Sequence, residues 1–110
     1  GGYKAYLESQ VADAQAKKNA LNAAFDEGFA TAVFRIADER EKEGLKKLTR
    51  DEVRGAVMDT YDSLKELKRD IIEQEAIETR IIGILNTYTT AYNTVSRVVT
   101  LRMENIAGRG

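Results

Sequence analysis

The absence of proline from all 110 residues limits what this chain can become more than any other feature. Proline punctuates loops and strand edges and is excluded from helix interiors, so a chain without it points to long uninterrupted helices. The apolar spacing agrees. From about residue 3 to residue 43, Leu7, Val11, Ala14, Leu21, Phe25, Phe29, Val33 and Ile36 recur at helical intervals among Ala, Lys, Glu and Gln, all good helix formers. This predicts a first long amphipathic helix.

A stop and a restart follow it. Gly44 can take the left-handed conformation that ends a helix, with Leu45 folding back over the last turn. Thr49-Arg50-Asp51-Glu52 has the S/T-x-x-E form of a capping box, flanked by Leu48 and Val53 at staple positions. Residues 44–49 are therefore read as a turn and about 50–107 as a second helix. Leu64, Leu67, Ile71, Gln74, Glu78, Ile81, Leu85, Tyr88, Tyr92, Val95, Val99, Arg102 and Ile106 alternate steps of three and four along it, a heptad rhythm with three polar members. Two long helices joined by a short turn lie antiparallel, so the expected fold is all-α: a two-helix hairpin, coiled-coil-like, completed into a bundle by oligomerisation.

One domain, residues 3–107, accounts for the pattern. Gly1-Gly2 resembles a tag-cleavage scar, and Gly108-Arg109-Gly110 is expected to be a flexible end. With the bend near Lys46 and Lys47, residue i faces roughly residue 93 − i. That register brings Leu21 to Ile72, Phe29 to Leu64, Ile36 to Val57 and Val11 to Ile82. It also sets Lys18 opposite Glu75 and Gln15 opposite Glu78. A semi-buried charge left alone is costly, so Lys18, Glu75 and Glu78 are candidates for fixing the register.

The second helix is too long for the first. At 1.5 Å per residue they span roughly 85 and 60 Å, leaving about 15 residues of apolar helix projecting. Ile81, Leu85, Tyr88, Tyr92, Val95, Val98, Val99, Met103 and Ile106 are the expected partner interface. Residues 81–96 carry no charge in a chain that is 32% charged, which implies cover on more than one side. Asn86 and Asn93, one heptad apart, could hydrogen-bond between symmetry mates and set register there. Among the interior glycines Gly28, Gly55 and Gly83, the last is the expected point of close helix approach.

Chemistry is scarce. With no His and no Cys, the usual neutral-pH acid–base group, the thiolate nucleophile and the nitrogen and sulfur ligands of transition metals are all missing. The carboxylates of Asp59, Asp62 and Glu66, and of Glu73, Glu75 and Glu78, read as solvated faces, since a di-iron bundle needs histidine and calcium favours an oxygen-rich loop. No catalytic residue, cofactor, metal or small-molecule substrate is expected. Seventeen basic against eighteen acidic residues leave a net charge of −1, so nucleic acid would have to bind locally, at Lys46, Lys47, Arg50 and Arg54 in the turn. A basic, apolar C-terminal end could instead rest on a membrane surface. The leading expectation is a non-enzymatic assembly module that self-associates or takes up a helical partner; the lipid and nucleic-acid readings are its alternatives.

Overall fold

The computed structural model describes residues 2–109, with side chains placed from residue 2 to residue 106. It is all-helical and very elongated, measuring 91 × 24 × 15 Å. Helix α1 runs Gly2–Lys42, α2 Arg50–Thr60 and α3 Asp62–Arg109. The glycine at position 2, expected outside the fold, begins α1. Gly108 and Arg109, expected to be a loose end, continue α3, while Gly1 and Gly110 lie outside the described residues.

The turn follows from its residues. Gly44 sits at φ +70°, and the N–H groups of Gly44 and Leu45 donate to the carbonyls of Glu41 and Arg40 at 3.0 and 2.9 Å, satisfying acceptors that the end of α1 would leave bare. The Arg40 guanidinium then clamps the Lys46 carbonyl through Nη2 at 2.8 Å and Nε at 3.2 Å. At the restart, the Glu52 N–H donates to Thr49 Oγ1 and the Thr49 N–H to Glu52 Oε1, each at 3.3 Å. This reciprocal pair is the capping box. Both bonds, with the nearby Arg40 charge, hold the Glu52 carboxyl below its ordinary range.

The second helix is not continuous. Tyr61 leaves the helical conformation at φ −109°, ψ 96°, although its N–H still reaches the Val57 carbonyl at 3.0 Å. Its own carbonyl accepts from Leu64 and Lys65, so α3 restarts at once. Thr60 and Tyr61 are weak helix formers, and Asp62 and Ser63 favour a first turn. The half-buried Tyr61 side chain packs with Ala32, Val57 and Leu64 in the core where all three helices meet. Val57, fully enclosed, lies in the last turn of α2 and Leu64 in the first turn of α3; the break lets each helix set its own angle against α1.

Within the single chain the point of close approach is Gly28. A Cβ at Gly28 would fall 2.8 Å from Leu64 Cδ2, while Gly55 and Gly83 face open space. From there α3 runs back beside α1 in the opposite direction. Lys68 Nζ lies 5.4 Å from the Phe25 ring centroid, Glu78 meets Gln15 and Lys18, and Tyr88 packs edge-on to Tyr3 at 5.1 Å. Leu7, Ala14, Ala32, Leu64 and Ile71 are the buried apolar positions of this seam. Ile72, expected opposite Leu21, points outward at 58% exposure because its neighbour Ile71 occupies the inward position. One residue along a helix is about 100° of rotation, so only one of two adjacent isoleucines can face the partner.

Candidate interaction surface

The inward stripe of α3 steps by heptads through Leu64, Ile71, Glu78, Leu85, Tyr92, Val99 and Ile106. Its first three members are buried against α1, and Leu85 is half-buried. Past the Tyr3–Tyr88 contact the same stripe emerges into solvent. Tyr92, Val95, Val98, Val99, Met103 and Ile106 are exposed, and every residue from Thr90 to Ile106 shares that state. Of the expected interface residues, Ile81, Leu85 and Tyr88 thus belong to the intramolecular seam; Tyr92, Val95, Val99, Met103 and Ile106 form one open surface, with Val98 exposed to one side of it. Leu101, exposed on the far side of the helix, lies outside that stripe.

The polar step in the seam is built differently from the expected pairing. Glu78, only 9% exposed, accepts from Lys18 Nζ at 2.8 Å and from Gln15 Nε2 at 3.2 Å. Glu75 is exposed and does not meet Lys18. Glu78 follows Ile71 by one heptad on the inward face, whereas Glu75 sits about 60° off it. The Lys18 and Gln15 hydrogen bonds, then the Lys18 charge, hold the Glu78 carboxyl below its ordinary range despite its burial. No buried side-chain polar atom among the described residues lacks a partner.

The uncharged stretch behaves in a way the sequence pattern concealed. Gly83, Ile84, Asn86, Thr87, Thr90, Asn93 and Thr94 are all exposed. The Thr87 hydroxyl donates to the Gly83 carbonyl and the Thr94 hydroxyl to the Thr90 carbonyl, each at 2.9 Å. Those hydroxyls are therefore satisfied within their own helix, and their methyl groups are what the surface presents. Phe34, 72% exposed on α1, escaped the heptad reading because it lies off the seam. Its signal was available as an aromatic at a position where the stripe calls for a polar residue.

At the turn, Lys46, Lys47, Arg50 and Arg54 are exposed, interleaved with exposed Glu43, Asp51 and Glu52. Arg40, the nearby guanidinium, is already engaged with the Lys46 carbonyl. Among the described residues no three acidic side chains converge as metal ligands, and no helix is long and apolar enough to cross a membrane. Compared with known proteins, the chain matches no family model, no curated protein and no solved structure.

Proposed function

We propose that this chain is a non-enzymatic assembly module: a helical hairpin that self-associates or takes up partner helices along the C-terminal half of α3, and is completed into a bundle by that association. One observation carries the reading. The stripe that is buried at Leu64 and Ile71 continues in phase through Val95, Val99 and Ile106 with nothing against it.

The dimensions support it. A compact chain of 12.3 kDa exposes roughly 6,100 Å², yet this one exposes 8607 Å². Its radius of gyration is 25.0 Å, against about 13 Å for a globular domain of this length. Surface of that extent is ordinary in a subunit of an assembly and uncommon in a solitary protein.

Sedimentation velocity with circular dichroism tests the proposal. The parent chain, alone or with its helical partner, is expected to run heavier than one copy. Val95→Asp or Val99→Asp is expected to lower that mass while leaving the helical signal unchanged, since both side chains are exposed in the single chain. Unchanged mass for both variants refutes the reading.

A further inference from the structure

On the side of α3 turned away from α1, steps of four and seven from Ile72 through Thr79, Gly83, Thr90 and Arg97 reach Leu101, all within about 40° of one direction. Ile72 and Leu101 are exposed to 58% and 55%, a pair of large apolar groups marking the two ends of this face. Between them the surface is small and uncharged from Ile81 to Ser96, with open space at Gly83 and the Thr87 and Thr94 hydroxyls turned inward to the backbone. This face is distinct from the seam that emerges beyond Tyr88.

We infer that it docks a second copy of this chain, antiparallel, with the two-fold axis passing between Asn86 and Thr87. The charges choose the occupant and the direction. In that arrangement Ile72 falls opposite the second copy's Leu101, Glu75 lies beside its Arg97 on the same flank, and Arg69 is level with its Glu104. By symmetry each pairing occurs twice. Arg69, Glu75, Arg97 and Glu104 are exposed, and none has an ion partner among the described residues of its own chain. A parallel pairing would set each of these charges against its like. The signs reverse about the midpoint of the face, which is what self-recognition across a two-fold axis requires. At the centre, absence of a side chain at Gly83 allows the two helices to approach closely over a contact of roughly 50 Å.

Because the chain has no cysteine, single cysteines report the geometry directly. In the full chain, Asn86→Cys is expected to form a covalent dimer on mild oxidation. Thr79→Cys and Thr94→Cys are expected to cross-link when the two variants are mixed and not when either is alone. Arg97→Glu should weaken the dimer about tenfold, and adding Glu75→Arg in the same chain should restore it. Ready cross-linking of Thr79→Cys alone, which marks a parallel pair, overturns the inference, as does a charge reversal with no rescue. Gly83→Glu separates this surface from the seam. It should abolish the antiparallel pair, whereas Val99→Asp should strip the assembly down to that pair. If Val99→Asp abolishes all association and Gly83→Glu none, this inference fails while the proposed function stands.

Discussion

The two halves of α3 carry the same apolar rhythm and have opposite fates. From Leu64 to Glu78 the inward positions are buried and the one charge among them is matched by Lys18 and Gln15. From Tyr92 to Ile106 equivalent positions are bare. The apolar spacing does not separate them; the reach of α1 does. An amphipathic stripe specifies where a helix wants cover, and the covering element is a separate fact about the chain or its partners.

Four measurements sharpen or break this contrast. The largest expected effect is Leu64→Ala, which removes the side chain seated over Gly28 and should destabilise the isolated chain by about 3 kcal/mol, whereas Ile106→Ala should change it by less than about 0.5 kcal/mol. Equal losses in chemical denaturation would mean that the tail is already covered. Next comes acid. The Glu78 carboxyl is held below its ordinary range, so on acidification the unfolded chain takes up the proton first. Its contribution is complete above about pH 4.3, the ordinary glutamate value, and is lost as the pH falls through the lowered one. Glu78→Gln should therefore lower the melting temperature at neutral pH and flatten its decline in acid, leaving the smaller slope due to Glu52. A melting curve whose acid limb is unmoved by the substitution would show that the pair adds nothing.

Smaller still is Thr49→Ala, expected to cost about 1 kcal/mol by removing the acceptor for the Glu52 N–H. Last are two glycines that lie in helix interiors and differ only in what faces them. Gly55→Ala, into open space, should stabilise by about 0.5 kcal/mol or slightly more. Gly28→Ala should show none of that gain, because the Leu64 methyl must move aside. Identical thermal shifts for the two would remove close approach as the reason for Gly28.

Much of the architecture was legible because it is written in short-range chemistry. Gly44 and the Thr49–Glu52 pair act within a turn of chain, and the three- and four-residue rhythm identifies the inward face wherever a helix is straight. Two features resisted. The break at Tyr61 carries neither proline nor glycine; it depends on how α2 and α3 each seat against Phe29 and Ile36, which no local pattern encodes. The choice of Ile71 over Ile72, and of Glu78 over Glu75, turns on a rotation of 60–100°, finer than a register guessed from the midpoint of a turn. In the candidate surface the exposed stripe was foreseen. The internal bonding of Thr87 and Thr94 was not, since a hydroxyl turned on its own backbone looks in sequence like one offered to a neighbour.

Tyr61 also has a consequence in time. Starting a helix afresh strands its opening donors, and of the first four amides of α3 only Leu64 and Lys65 find the Tyr61 carbonyl. The N–H groups of Asp62 and Ser63 donate to no backbone carbonyl, and they lie one short helix, about 17 Å, from the turn end of the rod. Hydrogen exchange should therefore show two fast adjacent residues far from either terminus, a local mark of the break that requires no movement of the core packed around Ala32, Val57 and Leu64.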